Sequence, residues 1–143
     1  MTLRYRTVHF KNCGLDYVYV KVPIARDEDG EEYIDFPMGE MEAAIASSLI
    51  GLRVPLRGVE VKFLRKSLGL SLKAWATELG LSAAGVLKWE KAASSRLSRV
   101  NEAAVRAFCA EELGVELPGI LSQLVGKDKT PKRISVKLDN VAA

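Results

Sequence analysis

The feature that most constrains this chain is the punctuation between residues 70 and 92. Ser71 stands before an apolar-periodic segment, Gly80 follows it, and Ser82 stands before a second segment that ends near Lys91. A serine at such a place caps a helix by accepting a hydrogen bond from a backbone N–H of the first turn. A glycine just past a helix takes the left-handed conformation that reverses the chain without steric cost. Leu72, Trp75, Ala76 and Leu79 lie at helical spacing in the first segment, and Val86 and Trp89 do so in the second. Both tryptophans are therefore expected in the core. Two helices this short, joined by about three residues, must lean on one another, and the small Ala76 lets them approach. The expected product is a helix-turn-helix whose second helix runs from about Ser82 to Lys91.

The preceding segments have a different character. Arg4 to Phe10, Tyr17 to Ile24 and Glu32 to Phe36 alternate or carry β-branched and aromatic runs, with turn formers at Cys13-Gly14 and Asp27-Glu28-Asp29-Gly30. They read as a small antiparallel sheet. After Pro37, the residues Met41, Ala44, Ile45, Ser48, Leu49 and Leu52 make the stripe of an amphipathic helix, closed by Gly51 and Pro55. From Gly58 the pattern is helical, and a longer helix from about Arg99 to Leu113 places Val100, Ala104, Val105, Phe108, Cys109 and Leu113 on one face. The fold class is α+β. Residues 1–56 read as a β-rich domain with one helix, 57–125 as an all-α helix-turn-helix domain, and 126–143 as a basic tail. In that tail Lys127, Lys129, Lys132 and Arg133 precede Ile134, Val136 and Leu138, which reads either as a solvated arm or as an added strand.

The net charge of +3 conceals a segregation of sign. Residues 57–110 carry ten basic and four acidic side chains, residues 1–56 six and nine, and residues 111–143 five of each. The positive field thus lies on the helical part, and attraction to a polyanion depends on such clustering. In the second short helix Ala83, Ala84, Leu87, Lys88 and Lys91 fall away from Val86 and Trp89. That is the face a recognition helix presents to the major groove. Ser71 and Ser82 mark helix N-termini, whose free N–H groups suit phosphates, while Lys73, Lys88, Lys91, Arg96 and Arg99 supply charge. The expected partner is double-stranded DNA. A homodimer would place two such helices in successive major grooves about 34 Å apart and repress by occupying a promoter.

The stretch Leu70 to Lys91, LSLKAWATELGLSAAGVLKWEK, resembles the helix-turn-helix of phage-repressor-type (Cro or XRE family) regulators, most closely at Trp89-Glu90-Lys91. A longer similarity runs back through GVEVKFLRKSLGLS to Asn12-Cys13-Gly14-Leu15-Asp16-Tyr17-Val18-Tyr19 and resembles MqsA-like antitoxins over most of residues 10–110. The resemblance implies a transcription regulator, an autorepressor that can also serve as the antitoxin of a toxin protein. It implies base-reading positions at Ala83, Ala84 and Gly85, where related proteins carry longer polar side chains. Methyl contacts to thymine and DNA deformability would then supply part of the selectivity. For Glu90 it implies a salt bridge or cap within the fold. Zinc-binding members of the antitoxin group use paired CxxC motifs, whereas this chain keeps only Cys13. Cys13 and His9 make two donors where a closed zinc site takes four, so neither metal nor other cofactor is expected.

Catalysis is not expected either, because the chain has one histidine, no phosphate-cradling glycine loop and no nucleophile–base arrangement. The most apolar stretch, Ala43 to Leu52, is too short to span a membrane, and Met1 to Phe10 contain no apolar leader. With two cysteines that form no framework, the reading is a cytoplasmic protein. The competing reading is a protein-interaction module, in which the acidic sheet beside a basic helical half neutralises a partner without specific DNA binding.

Overall fold

A computed structural model describes residues 4–11, 14–117 and 119–138, and Cys13 lies outside them. The fold is α+β. The chain divides into two units, one made of Met1–Ile45 with Lys132–Ala143 and the other of Ala46–Pro131.

In the first unit β1 (Arg4–His9), β2 (Val18–Arg26) and β3 (Glu32–Ile34) form the expected antiparallel run. Tyr5 lies opposite Pro23, His9 opposite Tyr19 and Ala25 opposite Tyr33. β4 (Ile134–Lys137) joins them as a parallel neighbour of β2, with Val18 opposite Ile134 and Val20 opposite Val136. Ile134–Lys137 are thus an added strand rather than part of a solvated arm, and the sheet is mixed. Because strand side chains alternate between faces, one face collects Val18, Val20, Val22, Ile134 and Val136, all buried. The β2–β3 turn is held by Asp27, whose Oδ1 accepts from the N–H groups of Asp29 and Glu31, each at 2.9 Å. α1 (Met38–Gly51) follows Pro37 and buries Met41, Ala44, Ile45 and Leu49 of the expected stripe.

The second unit contains α2 (Gly58–Ser67), α3 (Leu72–Leu79), α4 (Ala83–Lys91), α5 (Arg99–Leu113) and the short α6 (Leu121–Leu124). Its core gathers Val61, Leu64, Trp75, Ala76, Val86, Val105 and Cys109. Trp75 meets Phe108 edge-on at 5.5 Å. Three expectations need correction. Leu52, the last residue of the expected α1 stripe, lies past the end of that helix and is 46% exposed. Trp89 is only partly buried, because the deep positions of α4 are Val86 and Glu90, one turn apart, and Trp89 lies about 100° round the helix from Glu90. In α5, Val100 is 70% exposed and Ala104 is exposed; the inward face instead holds Glu102, Ala103, Val105, Arg106, Cys109 and Ala110. A charged pair, not the outermost valine, sets the roll of that helix. No helix among the described residues is long and apolar enough to cross a membrane.

Candidate nucleic-acid interface

The α3–α4 element is built by local chemistry that its sequence specifies. Ser71, with extended backbone, accepts a hydrogen bond from Ala74 N–H at 3.1 Å and opens α3. α3 ends at Gly80, which adopts φ 71° and ψ 30°. Its N–H donates to Thr77 O at 3.1 Å, and Leu81 N–H reaches back to Ala76 O at 2.8 Å, which satisfies carbonyls that the helix end would leave orphaned. Two residues later Ser82 accepts from Gly85 N–H at 3.1 Å and opens α4. Both serine caps and the left-handed glycine stand where the sequence places them.

The roll of α4 is fixed from behind. Arg65 of α2 donates from Nε and Nη2 to the two oxygens of Glu90, at 2.8 and 3.0 Å, and from Nη1 to Leu70 O at 3.0 Å. Glu90 therefore takes the structural part expected of it. Gly58 permits the close approach of α2 to the end of α4, since a Cβ there would lie 2.0 Å from Trp89 O and 2.7 Å from Ala92 O. With Val86 and Glu90 turned inward, Ser82, Ala83, Ala84, Lys88 and Lys91 are exposed, while Gly85 and Leu87 are half-buried. Ser71 and Lys73 are exposed at the start of α3.

The two remaining candidates belong to a different locus, at the start of α5. Arg99 is exposed in the first turn of that helix, which Ser98 caps by accepting from Asn101 N–H at 3.3 Å. Arg96 is engaged within the fold. Its Nε and Nη2 donate to Glu102 at 2.9 and 3.1 Å, and Nη2 also reaches Gly126 O at 3.0 Å.

Glu102 is the node of a buried polar cluster that the sequence analysis missed. Its carboxylate accepts from Leu56 N–H at 2.9 Å, from Gly126 N–H, from Arg96 and from Arg106 Nη1 at 3.3 Å. Arg106 in turn donates to Leu124 O at 2.8 Å and to Val54 O. Burial opposes the charged carboxylate, but the Arg96 hydrogen bond and the Gly126 and Leu56 N–H groups outweigh it and hold Glu102 below the usual carboxylate range. For Arg106 burial dominates and pulls its pKa below the usual guanidinium value. The only available signal was the i,i+4 spacing of Glu102 and Arg106, which reads equally well as a solvated surface pair. Nearby on α5, burial pushes the Cys109 thiol up to about 12, so it carries no thiolate chemistry at neutral pH. No protein-family model, curated protein or solved structure matches this chain.

Proposed function

We propose that this chain is a sequence-specific DNA-binding regulator of the phage-repressor type, acting in the cytoplasm as a homodimer that represses by occupying a promoter. The observation that carries this reading is the presentation of α4. Its leading residues Ser82, Ala83 and Ala84 and its cations Lys88 and Lys91 face solvent, while Glu90 anchors the helix to Arg65. A helix held from behind, with small side chains at its leading end, fits a major groove about 12 Å wide. Ala83 and Ala84 offer methyls to thymine, and Lys88 reaches guanine or phosphate. The capped starts of α3 and α4, with Lys73, Lys91 and Arg99, fix register on the phosphates. Arg96 is left out of this contact set because its guanidinium already serves Glu102.

Fluorescence anisotropy tests the reading, with duplex DNA from upstream of the protein's own reading frame titrated beside a scrambled duplex at several salt concentrations. The expected result is preference for the upstream duplex and a steep fall of affinity with salt. Equal, weak binding to both duplexes would overturn specific recognition.

The exposed acidic turn Asp27–Glu32 supports a second role for the other unit, as a surface for a basic protein partner such as a toxin. Co-expression with the product of a short adjacent reading frame should then give a stable complex by size exclusion. A chain that stays alone in that experiment has no such partner there.

A further inference from the structure

The β1–β4 sheet has a second face that the valine core does not use. Register places Tyr5 and His9 of β1, Tyr19 and Lys21 of β2, Tyr33 of β3 and Lys137 of β4 on it. None of the described strand positions on this face is Asp or Glu; the acids of this unit gather in the β2–β3 turn. Among the described strand positions, rings and cations therefore share this face without an acid between them.

Several of these groups already stack. His9 lies parallel to Tyr19, with centroids 4.4 Å apart and planes within 4°. The Arg133 guanidinium lies 4.0 Å from the Tyr19 centroid. β1 and β4 flank β2 on opposite edges, since Val20 and Lys21 pair with both, so His9 and Arg133 approach Tyr19 from two sides. Tyr5 and Tyr33 are open rings, 50% and 49% exposed, and Tyr5 has Lys21 Nζ 5.7 Å from its centroid. Together with Lys21, Lys137 and Leu138, Tyr5 lines a hollow of about 370 Å³, within the roughly 300 to 1,000 Å³ of small-ligand sites.

We propose that this face binds single-stranded DNA. One base stacks on Tyr5 in the hollow, Lys21 and Lys137 hold the flanking phosphates, and the strand continues over the Arg133–Tyr19–His9 stack. Aromatic rings interleaved with cations are the chemistry of sequence-tolerant single-strand binding, because every base has a π-face and every linkage a charge. A duplex keeps its bases stacked on each other and leaves these rings without a partner. An acidic peptide would use the lysines and not the rings. Stacking and charge ask nothing of a ribose 2′-hydroxyl, the group through which a protein selects RNA. The proposal does not depend on α4 reading a duplex.

The test is anisotropy of a labelled oligo(dT) of about 12 nucleotides, titrated with the full chain between about 50 and 200 mM salt. Tyr5→Ala should weaken binding about tenfold, and Tyr5→Phe should retain most of it. Lys21→Glu with Lys137→Glu should weaken binding at least as much and flatten its salt dependence. Tyr5→Ala should leave duplex affinity unchanged, which separates this face from the helix surface. Circular dichroism checks the fold of each variant. The proposal is overturned by absence of oligo(dT) binding, by indifference to Tyr5→Ala, or by duplex or polyglutamate competing as well as oligo(dT). Tighter binding of oligo(U) than of oligo(dT) overturns the assignment to DNA.

Discussion

Arg65 and Glu90 meet fork to fork, with Nε and Nη2 on separate carboxylate oxygens at 2.8 and 3.0 Å, and thereby tie α2 to α4. Their side chains are 13% and 4% exposed, so removing one partner strands the other charge in a poorly solvated place. Glu90→Gln should lower the unfolding free energy by about 3 to 5 kcal/mol, measured by urea denaturation. The double replacement Arg65→Met with Glu90→Leu should recover much of that loss, since it removes both charges together. A loss below about 1 kcal/mol in the single variant, the range of surface pairs, would contradict a buried anchor.

Lys88 and Lys91 are exposed on α4, so their charge can be reversed without disturbing packing. Lys88→Glu with Lys91→Glu should lower duplex affinity by at least tenfold and reduce the slope of log affinity against log salt by about two. The melting temperature should hardly move, because surface substitutions usually change stability by no more than about 0.5 kcal/mol. Full affinity in this variant would place the duplex surface elsewhere.

Gly58 makes a prediction about packing alone. A methyl there would sit 2.0 Å from Trp89 O, which is backbone and cannot swing aside. Gly58→Ala should destabilise the helical unit by about 1 to 3 kcal/mol or more, as overpacking does. Thermal unfolding reads this, and a neutral substitution would mean that α2 and α4 are farther apart.

Glu102 sets an acid limit on stability. Its folded pKa is depressed below the ordinary value of 4.5, so its stabilisation is complete above that value and is lost as pH falls through the folded pKa. Urea midpoints of the wild type should drop below about pH 4.5. Glu102→Gln should be the less stable protein at neutral pH, and the gap between the two should narrow as the solution is acidified. A gap that stays constant with pH would show that the carboxylate charge is not what holds the cluster.

The α3–α4 element is legible in the sequence because each of its signals is local. Ser71, Gly80 and Ser82 act on N–H and carbonyl groups within a few residues, and the exposure of Lys88 and Lys91 follows from period alone. Long-range relationships are not legible in the same way. Glu102 and Arg106 are buried by residues 54–56 and 124–126, which no periodicity links to α5. Val100 continues the apolar stripe but is exposed, because these charges decide which side of α5 turns inward. Arg96 looks like any exposed cation until its partner is seen. The alternation of Ile134, Val136 and Leu138 leaves a solvated arm and a strand both open, and says nothing of a strand running parallel beside Val18 and Val20.

That last pairing orders events in time. The sheet draws β1 and β2 from residues synthesised early and β4 from residues synthesised late, with the whole segment Ala46–Pro131 between them. During translation the helical segment, rich in local contacts, is complete before Ile134 exists to pair with Val18. Until residues 134–137 have been made, the side of β2 that β4 occupies has no partner along Val18–Lys21. The hollow beside Tyr5 acquires its Lys137 and Leu138 wall only when that edge is filled.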